Sequence, residues 1–446
     1  MRTQSSQPSV DVAIVGAGAA GLAAGRDLHS AGYSVLLLEA RHRVGGRVFT
    51  IRPPQSVLPI ELGAEFVHGR ADDVTQIAKA ADLPVLEIEG LRVDSSGTRL
   101  RRLNDFWDRL ETVMRRLPDR RHIDLSFADF IRGQTGGRTP ARNRRLAREF
   151  VEGFHAADVE RISAVSLRDA GSPAEDERER RLGRVIDGYD CVIDWLAKPV
   201  RERIRTGTPV SGIDWRDSRF VRLTTTSGSR VRARATIVAV PVGVLQAPAA
   251  RAGVLHFDPP LHVKRSALAG LTMGCVARVV LLFREAVWAE DRYVSGVGMP
   301  TDLLTFLQGT STDFPVWWTA YPSRIPLMTG WCGGPGAATL SGLRPAELTS
   351  RAVRSLSVHL RVSAARLERL LLGAWSHDWS RDPYARGAYS YQVVGGADAA
   401  AALARPVAGR LFFAGEATDT AAGTVHGAIA SGRRAARQVE RALNRR

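Results

Sequence analysis

An α/β fold is predicted: a Rossmann-like doubly wound dinucleotide-binding domain with a second domain of mixed sheet and helices. Three observations carry it. Residues 11–47 read, without interruption, as strand, glycine turn, helix, second strand and acid. Strand patterns return at 208–240 and 410–415. Between them, residues 71–205 carry apolar residues every three or four positions, a helical period. The dinucleotide domain is therefore expected over 1–75, 205–265 and 395–446, and the second, substrate-binding domain over 76–204 and 266–394.

In the first unit, Val10, Val12, Ile14 and Val15 form a buried strand. Gly16, Gly18 and Gly21, with Ala19 and Ala20 between the last two, give the G-x-G-x-x-G spacing. There the first glycine makes the tight turn, the second admits a pyrophosphate and the third lets helix pack on strand. A helix continues over 22–30, its N-terminal amides favouring an anion. Val35 to Leu38 make the second strand, and Glu39 follows Gly21 by 18 residues, where a carboxylate can accept from a ribose diol.

The next residues, Glu39-Ala40-Arg41-His42-Arg43-Val44-Gly45-Gly46-Arg47, resemble the second FAD signature of the flavin amine oxidases, which include monoamine, polyamine and L-amino-acid oxidases. The resemblance implies FAD in place of NAD. Gly45 and Gly46 would pass close to the cofactor, and Arg47 could set its guanidinium against pyrophosphate or flavin. A strand at 48–50 and an irregular loop at 52–59 follow. Ile60 to Gly69 then resembles the stretch that runs along the flavin ring, placing Gly63, Ala64 and Glu65 at the cofactor and Glu65, Phe66 and His68 at the substrate. Phe66 stands where tryptophan is common, and Glu65 where a small or amide residue is common. Glu65 could be the negative charge an amine requires, or could hydrogen-bond FAD or pair with an arginine. His68 could touch substrate or sit hydrogen-bonded in the wall.

Helices are expected over 105–117, 126–131 and 191–198, and the charge run 175–181 reads as a solvated helix face or loop. Strands at 208–213, 219–226 and 230–240, the last two joined at Ser227-Gly228, form a hairpin on the dinucleotide side. Val210 matches the position whose backbone meets adenine in the family. In the run beginning at Gly274, Arg278 stands where the family usually has the lysine that holds a water against flavin N5; alternatively it faces a carboxylate in the sheet. Trp317, Trp318, Tyr321 and Trp331 cluster at strand spacing, as core or as cavity wall. Further helices are expected across 344–372.

Near the C-terminus, Tyr389 matches one wall of the aromatic cage of monoamine oxidases, and Ala388 stands where those enzymes carry the cysteine that bonds flavin. Gly415, Glu416, Thr424 and Val425 fall in the C-terminal FAD signature, with Thr424 in place of the second cage tyrosine. The resemblance thus implies a flavin amine oxidase or dehydrogenase holding FAD without a covalent bond, with Arg278, Tyr389 and Thr424 at the reaction. Its substrate would be a small amine or amino acid, and oxygen or another acceptor would take the electrons. The alternatives are an amino-acid oxidase or a natural-product tailoring oxidase or desaturase of the same fold, and, less favoured, a nucleic-acid-associated FAD protein.

Composition narrows the rest. The formal charge of +16 is carried almost wholly by arginine, since Lys79, Lys198 and Lys264 are the only lysines. The arginines are scattered without a recognition motif, so no nucleic-acid partner is expected. A net positive field repels cationic substrates at long range. Cys191, Cys275 and Cys332 are widely spaced and read as free thiols, with no metal site. The absence of a long apolar run or a leader-like start makes a cytoplasmic protein without a membrane span the expectation.

Overall fold

The structure is a computed structural model. It describes residues 9–69, 71–97, 99–134, 139–171, 180–290, 303–310, 312–419 and 423–444, so most of the charge run 175–181 lies outside the described residues.

Strand Ser9–Val15 is central to an eight-stranded sheet. It runs parallel to Val35–Leu38, with Val12 opposite Val35, and parallel to Arg230–Val238 on its other side, with Ser9 opposite Arg232. Ile204–Arg205 extends one edge. Strand Arg230–Val238 is long enough to serve two partners beyond the first. Its C-terminal half pairs with Leu411–Phe413, and its N-terminal half begins the antiparallel run Val221–Thr225, Val210–Asp214, to which His256–Asp258 adds in parallel. Val12 to Val15 and Val35 to Leu38 are all buried, as parallel strands covered on both faces must be. Helices Ala19–Ser30 and Val425–Asn444 cover one face, joining Val12, Ile14, Leu22, Leu28, Ile429 and Val439 in one core. Tyr189 and Val192 to Val200, which the sequence placed within 76–204, pack into that same core.

A seven-stranded sheet carries the other half of the cavity, in the order Leu371–Ser376, Val276–Phe283, Leu327–Gly333, Val316–Thr319, Leu304–Gln308, Leu91–Asp94, Arg101–Arg102. Its residues alternate faces with period two. Leu91, Val93, Val279, Leu281, Leu307 and Trp317 pack with helix Pro345–Leu360 in a core, while Arg92, Asp94, Arg278, Phe306, Trp318 and Trp331 line a cavity on the opposite face. Helices Phe106–Met114, Phe127–Gly133, Ala141–Phe154 and Ala164–Asp169 pack around Leu110, Phe127 and Val151 and close that cavity from above. Ser126 and Ser163 cap two of them, accepting from the amides of Asp129 and Ser166.

The helical reading of 71–205 needs correction, because five short strands lie among its described residues: Val85–Glu87, Leu91–Asp94, Arg101–Arg102, Leu182–Val185 and Ile204–Arg205. Each is only two to four residues long, too short to carry a period of its own, and Leu91–Asp94 and Ile204–Arg205 pair with chain far away in sequence. The strand expected at 48–50 is found at Thr50–Ile51, and the first helix begins at Ala19 instead of Leu22.

Candidate active site

One continuous cavity of about 820 Å³ runs from the glycine turn to the aromatic face of the second sheet. At its first end the wall is backbone. Gly16 sits at φ +100°, and a Cβ there would lie 2.6 Å from the Ala239 carbonyl oxygen; a Cβ at Gly21 would lie 2.0 Å from that of Gly16. These two glycines are required by the turn and the helix packing. Gly18 differs: its backbone is extended, and an added Cβ would meet no protein atom closer than 3.9 Å. Nothing in the protein demands its bareness, yet it lines the cavity beside Gly45 and Gly46. The room kept there, at the amide end of a helix, is what a pyrophosphate needs. Gly21, expected among the cofactor residues, does not reach the cavity and acts only in packing.

Glu39 is buried at the cavity edge, its carboxylate accepting from the amides of Ala17 (2.8 Å) and Arg41 (2.9 Å). Those bonds hold it in place and leave oxygen lone pairs for a diol. Ala19, Ala20, Ala40, Arg41 and Val210 line the same end, with Arg41 held by Asp382 at 2.6 Å.

In the middle of the cavity three distant segments meet. Arg47 donates to the Ala388 carbonyl and to Glu416, both at 2.8 Å. Glu416 also accepts from Ser390 through both amide and hydroxyl, and from the Gly423 amide. Arg47 and Glu416 were expected to face cofactor groups; both line the cavity, but they also bracket the segments to one another. Thr424 caps helix Val425–Asn444, its hydroxyl accepting from the Gly427 amide at 3.0 Å, and Gly415, Thr424, Val425 and His426 bring that helix start to the cavity wall.

Gly63, Ala64, Glu65, Phe66 and His68 line the next stretch. Glu65 does not offer an uncommitted charge. It is bound by Arg184 (Nη2, 2.7 Å), by Arg278 and by the indole of Trp318. Burial opposes its ionisation, but Arg278 and Arg184 outweigh it and hold the carboxyl below its usual range. Arg278 donates as well to the Gly63 carbonyl at 2.7 Å, so of the two readings of this residue, pairing with a carboxylate is observed. Its position beside Gly63 keeps it on the cavity wall.

The far end is aromatic. Phe66 packs against Trp318 (5.4 Å between centroids) and Phe306 (6.2 Å), Trp318 against Trp331 (5.6 Å), and His68 against Phe154 (5.5 Å). Tyr389 lines this chamber and donates to the Phe154 carbonyl at 2.7 Å. Burial lowers His68 to about 4, so it is neutral. The tryptophan cluster divides by strand alternation: Trp318 and Trp331 face the cavity, Trp317 the core. Sequence reasoning missed Phe154, Phe306 and Arg92. The alternation in Leu91-Arg92-Val93-Asp94 was the available signal, obscured by the helical period around it.

Among the described residues no group of three or more His, Cys, Asp or Glu could hold a metal, the three cysteines are free, and no helix is long and apolar enough to cross a membrane.

Comparison with known proteins gives a consistent result. The family described as flavin containing amine oxidoreductase matches residues 19–440. Polyamine oxidase 2 of Arabidopsis thaliana is 26% identical, over 98% of this chain and 88% of its own length. Lysine-specific histone demethylase 2 of Homo sapiens is also 26% identical, but its match covers 53% of its length. Among solved structures, putrescine oxidase bound to putrescine superposes with a TM-score of 0.81 at 23% identity, covering 97% of this chain and 99% of the other. Cyclohexylamine oxidase from Brevibacterium oxydans superposes at 0.78 and 21%, covering 98% of this chain and 100% of the other. At these identities the structures speak for the fold.

Proposed function

The chain belongs to the flavin-containing amine oxidoreductases, and from that premise we propose that it is an FAD enzyme that oxidises the C–N bond of a small amine. The observation that carries this is the continuity of the cavity from Gly18 and Glu39, past Gly63 and Ala64, to Tyr389 and the aromatic chamber. Gly16, Gly18, Ala19, Ala20, Glu39 to Arg41, Gly45 to Arg47, Val210, Gly415, Glu416, Thr424 and Val425 would hold the dinucleotide, in a domain assembled from 1–75, 205–265 and 395–446. Ala388 has no sulfur to bond it, so attachment is non-covalent. When bound, FAD supplies a hydride acceptor.

The chain's own residues orient the amine and exclude water. Phe66, Trp318, Trp331 and Tyr389 desolvate the amine, which disfavours its ammonium form. The neutral form has the lone pair that becomes the second C–N bond as hydride leaves the adjacent carbon. The product iminium then loses a proton and is hydrolysed to a carbonyl compound and an amine. Neutral His68 adds no competing positive charge beside this site.

Arg278 bears on the electron acceptor. A planar guanidinium that donates through Nη1 to the Gly63 carbonyl and through Nη2 to Glu65 has both terminal nitrogens bound to the protein, a poor holder of a reactive water. We therefore expect slow reoxidation by oxygen and efficient turnover with another acceptor.

The test is anaerobic: a panel of amines and amino acids is mixed with the purified holoenzyme and bleaching of the flavin is followed. An amine that bleaches it supports the assignment, as does yellow colour released by acid and identified as FAD. Failure of every amine, or FMN in the supernatant, would overturn it.

A further inference from the structure

Arg92 is a cavity-lining arginine for which the mechanism above has no use. It lies on strand Leu91–Asp94, on the face that looks into the chamber. The guanidinium carbon sits over the rings of Phe306 at 4.4 Å and Phe106 at 4.5 Å. It makes no hydrogen bond or ion pair with any described residue. Burial, with no neighbouring carboxylate to offset it, pulls the group down to about 10; it is still protonated at neutral pH.

A charge in this state is costly. The two rings attract the cation but accept no N–H in the guanidinium plane, so the donors remain available to a guest. The carboxylates that share the cavity are held elsewhere: Glu149 lies 3.6 Å from Arg145, Glu152 3.1 Å from Arg148, and Asp94 accepts from the Ser96 amide at 2.8 Å. Arg92 therefore presents the chamber with a positive charge that no described carboxylate answers. Phe306, which holds Arg92, also packs on Phe66, so Arg92 stands one ring beyond the residues beside Gly63 and Ala64.

We propose that Arg92 is an anion-binding subsite, and that the amine oxidised by this enzyme carries a carboxylate at the end remote from the C–N bond. The planar fork of a guanidinium matches a carboxylate with two parallel hydrogen bonds. An aminocarboxylate brings the negative charge that Arg92 lacks, and its overall neutrality removes the long-range repulsion a basic protein imposes on a cationic amine. This rests on the amine-oxidising reading of the same cavity and specifies its substrate class.

The experiment compares three series of equal chain length, from butyl to octyl: ω-aminocarboxylates, 1-aminoalkanes and α,ω-diamines. Each is titrated anaerobically into the holoenzyme, giving a dissociation constant and a limiting rate of bleaching. At the best length the aminocarboxylate should bind at least about tenfold tighter than the aminoalkane, the minimum expected of a desolvated charge-assisted pair. Arg92→Met should erase that preference and Arg92→Lys retain part of it. A parallel calorimetric titration with hexanoate and hexanamide needs no turnover: hexanoate should bind the wild type and lose at least about tenfold in Arg92→Met. Aminoalkanes or diamines favoured over aminocarboxylates in the wild type would overturn the proposal, as would hexanoate binding that is absent or insensitive to Arg92. If no amine bleaches the flavin while hexanoate still depends on Arg92, the amine reading fails and the anion site stands.

Discussion

Around the glycine turn the cavity wall is backbone, contributed largely by one contiguous run, and Glu39 is held there by the amides of Ala17 and Arg41. In the aromatic chamber the wall is side chains drawn from residues far apart in sequence. There Glu65 meets Arg184 and Arg278 across 119 and 213 residues. The first end depends on the absence of atoms, the second on a balance of charges and rings. Damage should accordingly separate: at the first end a substitution whose added atoms face only the cavity, as at Gly18, should empty the site without unfolding it, and those at the second end should disturb stability and substrate choice while the cofactor stays.

The largest expected effect is at Gly18. Its missing Cβ faces the cavity and no protein atom within 3.9 Å, so Gly18→Val should abolish flavin binding while the apoprotein melts as the wild-type apoprotein does. The flavin-to-protein absorbance ratio and a thermal melt check both halves. Gly16→Ala is the contrast, because φ +100° and the 2.6 Å approach to Ala239 make it costly to the fold itself. Equal melting losses for the two would erase the distinction.

At the other end, Glu65→Ala leaves Arg184 and Arg278 buried without their shared carboxylate, and should cost about 3–5 kcal/mol of stability. Urea denaturation monitored by far-UV circular dichroism is the measurement. A loss below about 1 kcal/mol, the range of an exposed pair, would mean that the cluster is solvated.

Acid should act on the chamber before the turn. His68 and His155, which line the chamber, are each lowered to about 4 by burial. Unfolded histidine takes up its proton near pH 6.5 and these do not until near 4, so their contribution is complete above pH 6.5 and is lost as pH falls from 6.5 to 4. The melting temperature should fall across that window, less so in His68→Gln, with midpoints compared at matched ionic strength.

The smallest effect is at Tyr389. Tyr389→Phe keeps the ring and removes only the hydrogen bond to the Phe154 carbonyl, worth about 1 kcal/mol. Tyr389→Ala removes the wall and should slow anaerobic flavin reduction with FAD retained. An alanine variant reducing at the wild-type rate would take Tyr389 out of the chamber's work.

The same contrast explains what the sequence made legible. The turn was readable because its signal is local: Gly16, Gly18 and Gly21 recur at a fixed spacing, and Glu39 follows at the end of strand Val35–Leu38. Tyr389 and Thr424 were placed only through a resemblance, since neither residue type fixes a direction by itself. Arg92 was invisible. It lies in a four-residue strand whose partner, Leu304–Gln308, is more than two hundred residues away, and a lone arginine in an arginine-rich chain draws no notice until Phe106 and Phe306 are seen around it. Glu65 was legible as a residue of interest and left open between two fates; only the arrival of Arg184 and Arg278 from other strands decided which.

The central claim is that one cavity holds FAD at its glycine end and delivers an amine's hydride to it from the aromatic end. Anaerobic stopped-flow with the best-reducing amine, protiated or deuterated at the carbon that bears nitrogen, tests it most directly. The account predicts bleaching of the flavin in a single turnover, slower with the deuterated amine. Bleaching at the same rate with both, under conditions where substrate binding is saturated, would contradict rate-limiting hydride transfer from that carbon, and no bleaching with any amine would contradict the claim as a whole.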